Sequence, residues 1–219
     1  MKKVFFATLL SACAINAFAA NTVDLKVVGV LTNSACTPSF PNGGKVDFGK
    51  NSLSSMSSTA VNQLGQRTVN LTLTCDAATA LAFTSSDSRN DSVNTQQVNL
   101  IGANAVLDYG LGKTAGGVKL GAYIITLDEK NVTADGVAGS LLYNTNMTTP
   151  AWAVAGTGSY LHATPNIQYT VGSTDKVPTA FKTAVFPLKI WASVQDTTTL
   201  AITDDTNLDG LATFSIIYL

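Results

Sequence analysis

Apolar and polar residues alternate with a period of two in several segments, which is the pattern of a strand with one buried face. Residues 69–75 and 214–218 show it most clearly, with apolar side chains at every second position. Two longer apolar runs, at 120–127 and 185–194, are typical of strands buried on both faces. Pro187 lies within the second run and indicates an edge position or a bulge, because proline cannot donate to a sheet ladder. Weaker strand candidates are 80–84, 98–101, 105–109, 167–171 and 200–203.

Clusters of turn-forming residues separate these segments. They lie at 41–44, 115–117, 135–136, 156–158 and 209–210. No segment has a sustained helical period. We therefore predict an all-β protein whose roughly ten short strands form an immunoglobulin-like β-sandwich. No shift in composition marks a second domain, so we expect one domain over 20–219.

The composition supports an all-β fold. The chain is 46% hydrophobic but only 12% charged, and Glu129 is its single glutamate. The charged residues that usually cover helix surfaces are therefore scarce. With 13 Lys and Arg against 14 Asp and Glu, the chain lacks the basic surface of a nucleic-acid-binding protein.

Residues 1–19 have the parts of a secretory signal peptide. Lys2 and Lys3 precede an apolar stretch at 4–14 that is too short to span a bilayer. The Ala-Phe-Ala sequence at 17–19 predicts cleavage between Ala19 and Ala20. The alternative is a bacterial lipobox at 10–13, in which Cys13 would carry a lipid.

Removal of the signal peptide leaves two cysteines, Cys36 and Cys75. In an exported protein two cysteines most simply form one disulfide. It would close a loop of about 40 residues and stabilise the fold by up to about 4 kcal/mol. A metal site is the weaker alternative, because two cysteines and the single His162 fall short of a zinc ligand set.

Recognisable catalytic motifs are missing from the sequence. We interpret His162 as a surface loop residue, since no serine lies in a G-x-S-x-G elbow. The acidic segment 204–210 lacks the spacing and the terminal glutamate of an EF-hand loop. We interpret Trp152 and Trp191 as core residues, with Trp152 the better candidate for a function. We therefore expect no enzyme activity, no cofactor and no metal, and a secreted β-sandwich hydrolase is the least favoured function.

The two ends of the chain carry a family resemblance. An alternating segment at 23–31 is followed by Ser34-Ala35-Cys36, and the second cysteine ends the sequence Leu73-Thr74-Cys75. The chain closes on an alternating segment at 212–219 with an aromatic penultimate residue. In this order, these features resemble a subunit of chaperone–usher fimbriae. Residues 35–49 look like a poorly characterised branch of that family, whereas 87–183 matches no part of it and suggests inserted loops.

The resemblance implies a sandwich that lacks its last strand and is completed by a strand from another protein. A periplasmic chaperone would lend that strand first. At the outer-membrane usher, the N-terminal strand of the next subunit would replace it, which builds a head-to-tail polymer.

The resemblance also implies roles for residues at both ends. The segment 20–31 would be the donor, and Gly29 would lie at a shallow point of the neighbour's groove. The donor side chains would be Val23, Leu25, Val27 and Leu31. The alternative is that 23–31 is the first strand of its own domain. Phe214, Ile216 and Tyr218 would line the acceptor groove, and basic chaperone residues would hold the carboxylate of Leu219. The alternative for these is an ordinary C-terminal core strand.

The function we expect is that of a structural fimbrial subunit, exported through the periplasm to the cell surface and contributing to adhesion. Its partners would be the chaperone, the usher and other subunits. The alternative is a minor or tip subunit that binds a host glycan or protein receptor through its middle region, which contains Tyr143, Trp152 and Tyr160.

Overall fold

The structure is a computed structural model that describes residues 25–29, 35–94 and 106–219. The chain divides into two units, Met1–Asn33 and Ser34–Leu219. Within the first unit, residues 25–29 have no regular secondary structure. Several predictions fall outside the described residues: the signal peptide 1–19, its cleavage at Ala19 and Ala20, lipidation of Cys13, the donor residues Val23 and Leu31, and the strand at 98–101. The single domain over 20–219 stays a prediction.

The alternating segments of the second unit form two antiparallel sheets, which confirms the predicted all-β sandwich. The strands of the first sheet are β1 (Cys36–Ser39), β2 (Asn62–Thr79), β4 (Tyr109–Gly110), β5 (Gly121–Leu127), β6 (Thr133–Ala134), β7 (Val137–Ala138) and β11 (Phe181–Val194). Those of the second are β3 (Leu81–Asp87), β8 (Ser140–Asn144), β9 (Ala153–Val154), β10 (Gln168–Gly172) and β12 (Ala212–Tyr218). The first sheet runs β1-β2-β11-β5-β4, with β6 joined to β11 and β7, and the second runs β12-β3-β10-β8-β9.

The helical segments of the described residues are short. They are α1 (Thr197–Leu200) and the 3-10 turns Pro41–Gly44, Leu53–Ser55, Asn90–Ser92 and Glu129–Asn131. Of the helices that the structure describes, none has the length and the apolar character that a membrane span requires.

The core lies between the two sheets, where inward side chains from both interdigitate. Phe83 of β3 packs against Tyr169 of β10 and Phe186 of β11, at ring-centroid distances of 5.6 and 4.9 Å. Leu71 and Leu73 of β2 have no exposed surface. Full burial of each such side chain contributes roughly 1.5–3 kcal/mol, so the period-two pattern is what holds the sheets together.

The predicted disulfide is confirmed. Cys36 of β1 and Cys75 of β2 are direct partners in the ladder and are covalently joined. The bond fixes the short strand β1 to the long strand β2 at the edge of the first sheet.

Most of the predicted strands are confirmed, but the strand predicted at 200–203 is wrong. The helical turn α1 ends at Leu200, inside the predicted range, and the Asp196 carboxylate accepts a hydrogen bond of 2.8 Å from the N–H of Thr199. This N-cap favours a helical turn. Ala201 then adopts a left-handed φ of 47°, which ends the turn. Of the weak candidate 105–109 the structure describes 106–109, and within that part only Tyr109 belongs to a strand.

Pro187 lies inside the central strand β11, so the predicted edge position or bulge is wrong. It pairs with Asn70 of β2, and the register shifts of β11 lie elsewhere. The N–H of Asp128 donates to the Pro187 carbonyl, so the backbone of Pro187 faces the β5 side. Because β5 ends at Leu127, the missing proline N–H breaks no bond of the β5 ladder.

Candidate functional site

The edge strand β12 presents one unpaired backbone side. It pairs with β3 from Ala212 to Tyr218, and among the described strands no other pairs with it. The N–H of Ser88 donates to the Leu211 carbonyl, and the N–H of Leu219 donates to the Ala80 carbonyl. Hydrogen bonding alternates along an antiparallel pair. The even-numbered residues of β12 therefore turn their backbone groups away from β3.

The segment 45–49 lies between β1 and β2 in the chain, outside both sheets, and lines the same cavity as Ala212 and Phe214 of β12. Val46 and Phe48 are half-buried, whereas their neighbours in the segment are exposed. Arg67 of β2 holds the segment in place, because its Nε donates to the Asp47 carbonyl at 3.0 Å and its guanidinium lies 5.1 Å from the centre of the Phe48 ring. This cation–π contact fixes the inward face of the segment.

A groove of about 1020 Å³ lies between β12 and the segment 40–56. Its floor and walls are mainly apolar. They include Leu64 and Val69 of β2, Tyr123 and Ile125 of β5, Leu188 and Ile190 of β11, and Phe40, Val46, Phe48, Met56, Ile202, Leu208, Leu211 and Phe214 from the surrounding segments. Along β2, Leu71 and Leu73 are fully buried, but Leu64 and Val69 are only half-buried. The sandwich core is thus partly uncovered at this end.

The groove ends where its two walls meet. The N–H of Cys36 donates to the Tyr218 hydroxyl at 3.1 Å. Farther along, Phe40 and Phe214 pack edge to face with ring centroids 5.1 Å apart. The lining reaches Ala212 and Phe214 but stops before Ile216 and Tyr218.

The predicted acceptor residues are therefore distributed along β12. Phe214 lines the groove and Ile216 packs against the core beside it. Tyr218 stands at the closed end, and Leu219 is 48% exposed.

The segment before β12 forms one lip of the groove and is held by an ion pair. Arg89 donates to both carboxylate oxygens of Asp209, at 2.8 and 3.1 Å. This bidentate contact raises the pKa of Arg89. A Cβ on Gly210 would lie only 2.8 Å from the Tyr123 ring. Because glycine has no Cβ, the lip can approach the groove floor closely.

The described part of the predicted donor segment has exposed apolar side chains. Leu25, Val27 and Val28 are 91%, 88% and 76% exposed. Leu25 and Val27 have the same parity, so an extended chain would present both on one face. Three large apolar side chains within four residues are therefore left exposed in this segment.

Sequence reasoning missed part of the site. It did not identify Arg67, or Leu64 and Ile202 in the lining. The alternation of Val46 and Phe48 with polar neighbours was the available signal for the wall at 45–49.

His162 lies in a loop, as predicted, and its side chain is half-buried. Its carbonyl accepts hydrogen bonds from the hydroxyls of Ser85 and Tyr109, at 2.9 and 2.8 Å. Burial lowers the pKa of its imidazole. Within the described ranges, no three His, Cys, Asp or Glu side chains are grouped as metal ligands would be.

The residues proposed for an adhesive region are divided between the sheets. Tyr143 of β8 pairs with Ala153, the residue after Trp152. Tyr160 instead forms a bridge with Thr126 of β5 in the first sheet. The structure therefore brings Tyr143 and Trp152 into neighbouring segments and places Tyr160 elsewhere.

These observations define a class of protein: a disulfide-linked β-sandwich whose core opens as an apolar groove beside an unpaired edge strand. A family model described as "Protein of unknown function (DUF1120)" matches residues 25–124. The uncharacterized protein YhcF of Escherichia coli strain K12 is 32% identical over 228 residues, which cover 94% of each chain. Protein GltF of the same strain is 31% identical over 239 residues, covering 96% of this chain and 94% of GltF. The chain belongs to the family of these proteins.

Proposed function

We propose that this protein is a structural subunit of a chaperone–usher fimbria and polymerises by strand donation. The carrying observation is the unpaired side of β12 beside an apolar groove of about 1020 Å³. A strand added there would complete the second sheet and cover the uncovered end of the core. This is the arrangement that β-strand addition uses, in which backbone bonds give affinity and pockets select alternate side chains.

The donor in this proposal is the segment 20–31 of another copy. Leu25 and Val27 would enter the groove, with Val23 and Leu31 continuing the series. Burial of each contributes roughly 1.5–3 kcal/mol before the ordering costs are subtracted. Lys26 and Val28 have the opposite parity and would face outward.

The same groove supports the proposed order of partners. An uncovered sheet edge is an aggregation hazard, so the subunit would need a chaperone strand in the periplasm until the usher exchanges it for a subunit strand. Each copy then carries a donor at one end and an acceptor groove in its body. Such heterologous contacts do not close, and they produce a filament at the cell surface.

The adjacent valines Val27 and Val28 provide a matched test. A peptide with the sequence of residues 20–31 is added to a chain that begins at residue 32, and binding is followed by fluorescence anisotropy and by the melting temperature. We expect binding of the native peptide, loss of binding for the Val27→Asp peptide, and retention for the Val28→Asp peptide. Equal effects of the two substitutions, or no binding of the native peptide, would contradict the proposal.

The shortened chain carries a risk of misfolding, so the same substitutions are also made in the chain 20–219. Light scattering after gel filtration then measures oligomers. Val27→Asp should shift the protein towards monomer, and Val28→Asp should leave the distribution unchanged. The opposite order of effects would overturn the proposed parity of the donor.

A further inference from the structure

The strands β5 and β11 present different chemistry on their two faces. Tyr123 and Ile125 of β5 face the groove, whereas Ile124 and Thr126 face the outer surface of the first sheet. In the ladder, Ile124 pairs with Trp191 of β11, and Thr126 pairs with Lys189. Directly paired residues lie on the same face. A second site can therefore be built on these strands without sharing side chains with the groove.

An outer pocket of about 680 Å³ lies on this face. Trp191 and Tyr160 are half-buried and pack over Ile124 and Ala122. Ile124 is 2% exposed and Ala122 fully buried. The small apolar cluster beneath the rings holds them in position, so the aromatic rings form a firm wall of the pocket.

A polar rim surrounds these rings. Lys189 Nζ lies 3.1 Å from Asp128 Oδ2, and Asn131 Nδ2 donates to the same oxygen at 3.1 Å. The amide of Asn131 and the ammonium of Lys189 lower the pKa of Asp128, which keeps the carboxylate charged. The rim also includes Glu129, which accepts from the N–H of Gly158 at 3.4 Å.

The charges of this pocket balance. Asp128 and Glu129 are matched by Lys130 and Lys189, and Gln63 and Thr126 add neutral polar groups. This balance gives no net attraction for a phosphate, a nucleotide or a cationic peptide. Aromatic rings beside paired donors and acceptors instead suit a neutral ligand that has both an apolar face and many hydroxyl groups.

We propose that the outer pocket binds a neutral saccharide. The C–H face of a pyranose ring would stack on Trp191 or Tyr160. Its vicinal hydroxyls would donate to Asp128 and accept from Lys189. Hydrogen bonds to such charged groups are stronger than those between neutral groups. A volume of about 680 Å³ lies within the roughly 300–1,000 Å³ of small-molecule sites and holds one or two sugar rings. The site is independent of the proposed strand donation, because it uses the opposite face of the sheet.

The chain has two tryptophans, so replacing one leaves the fluorescence of the other as the only indole signal. Trp152→Phe leaves Trp191 as the only indole, and Trp191→Phe leaves Trp152, which lies outside the pocket lining. Lactose, cellobiose and N,N′-diacetylchitobiose are each titrated to about 10 mM, enough to occupy a site with a millimolar Kd. We expect a saturable change of fluorescence with at least one sugar in Trp152→Phe and none in Trp191→Phe. No response to any of the three, or a response only from Trp152, overturns the proposal.

A second pair of variants on β11 separates recognition from packing. Lys189→Met keeps the aliphatic stem and removes the ammonium, whereas Lys182→Met makes the same change at an exposed position outside the pocket lining. Saturation-transfer NMR with the responding sugar should show affinity about tenfold weaker in Lys189→Met, the effect of losing one hydrogen bond to a charged group. Lys182→Met should bind as the parent does. Equal affinities in the two variants would show that Lys189 takes no part in binding and would overturn the proposed recognition of the sugar hydroxyls.

Discussion

The backbone N–H of Cys36 donates a hydrogen bond of 3.1 Å to the hydroxyl oxygen of Tyr218, 182 residues away in the chain. The bond links β1 of the first sheet to β12 of the second. Because Cys36 is also disulfide-bonded to Cys75, the hydrogen bond attaches the edge strand β12 to a firmly held part of the fold. This contact lies beyond Phe214, the last residue of β12 that lines the groove.

Removal of the Tyr218 hydroxyl should loosen this end of the groove. We expect Tyr218→Phe to lower the free energy of unfolding by about 1 kcal/mol, the usual value of one hydrogen bond. Urea denaturation measures the change, and faster exchange of the Cys36 amide locates it. Tyr143→Phe in β8 is the control, and an equal loss in that variant would mean that the contact has no special role.

Removal of the disulfide should destabilise the fold without altering its topology. The two cysteines are 39 residues apart, and a crosslink over such a loop restricts the unfolded chain. We expect the double variant Cys36→Ala, Cys75→Ala to lose about 2–4 kcal/mol of unfolding free energy. Denaturation with and without a reductant measures it, and the double variant should no longer respond to the reductant. A change below about 0.5 kcal/mol would contradict the prediction.

The loss of the Arg67 side chain should destabilise the groove wall at 45–49 more than it destabilises the whole fold. Arg67→Ala removes the hydrogen bond to the Asp47 carbonyl and the contact with the Phe48 ring. We expect faster amide exchange at 46–49 and a loss of about 1 kcal/mol or less in global stability. Arg67→Lys keeps the charge but not the planar group, so it should resemble Arg67→Ala. Wild-type exchange at 46–49 in Arg67→Lys would show that charge alone suffices.

The variant Leu64→Gln tests the groove floor at a position that is only half-buried, where a polar side chain should not prevent folding. The side chain is half-buried and lines the groove, so Leu64→Gln should fold while making the floor polar. We expect binding of the peptide 20–31 to weaken by at least about tenfold, as the loss of one apolar contact predicts. Thr68→Gln on the same strand, at an exposed position outside the lining, is the matched control. Unchanged binding in Leu64→Gln would argue against donor insertion in this groove.

Asp108 should make the fold less stable as the pH rises. The side chain is buried, and neither carboxylate oxygen has a hydrogen-bond partner among the described residues. Burial raises the pKa of Asp108 from 3.8 to about 7. Between these two values the folded state holds a proton that the unfolded state releases, so stability falls with rising pH through this range.

The variant Asp108→Asn should remove this pH dependence. We expect its melting temperature to exceed that of the parent more at pH 8 than at pH 4. Thermal melts across this range measure the difference. Asp128→Asn should show the opposite pH dependence. The pKa of Asp128 is lowered, so its contribution to the stability of the fold is lost as the pH falls. Parallel pH profiles of the parent and Asp108→Asn would contradict the assignment.

Alternation along the chain predicted the sandwich and the part of β2 at 69–75, and continuous apolar runs predicted β5 and β11. The pairing of Cys36 with Cys75 was predicted from the cysteine count. The reason for the alternation is local: a strand with one buried face must place apolar residues at every second position. The same rule indicated that β12 has an apolar face. It also supplied the parity of Leu25 and Val27, on which the proposed donor strand rests.

Only the tertiary structure decided which strand lies at the edge of a sheet and where the core remains uncovered. The backbone of Pro187 is tolerated in a central strand because β5 has already ended, which no local pattern reveals. Likewise Trp191 and Tyr160 meet over Ile124 through strand pairing between distant segments. Periodicity assigns each side chain to a face of its own strand, but neighbouring strands are chosen by long-range packing of the whole chain.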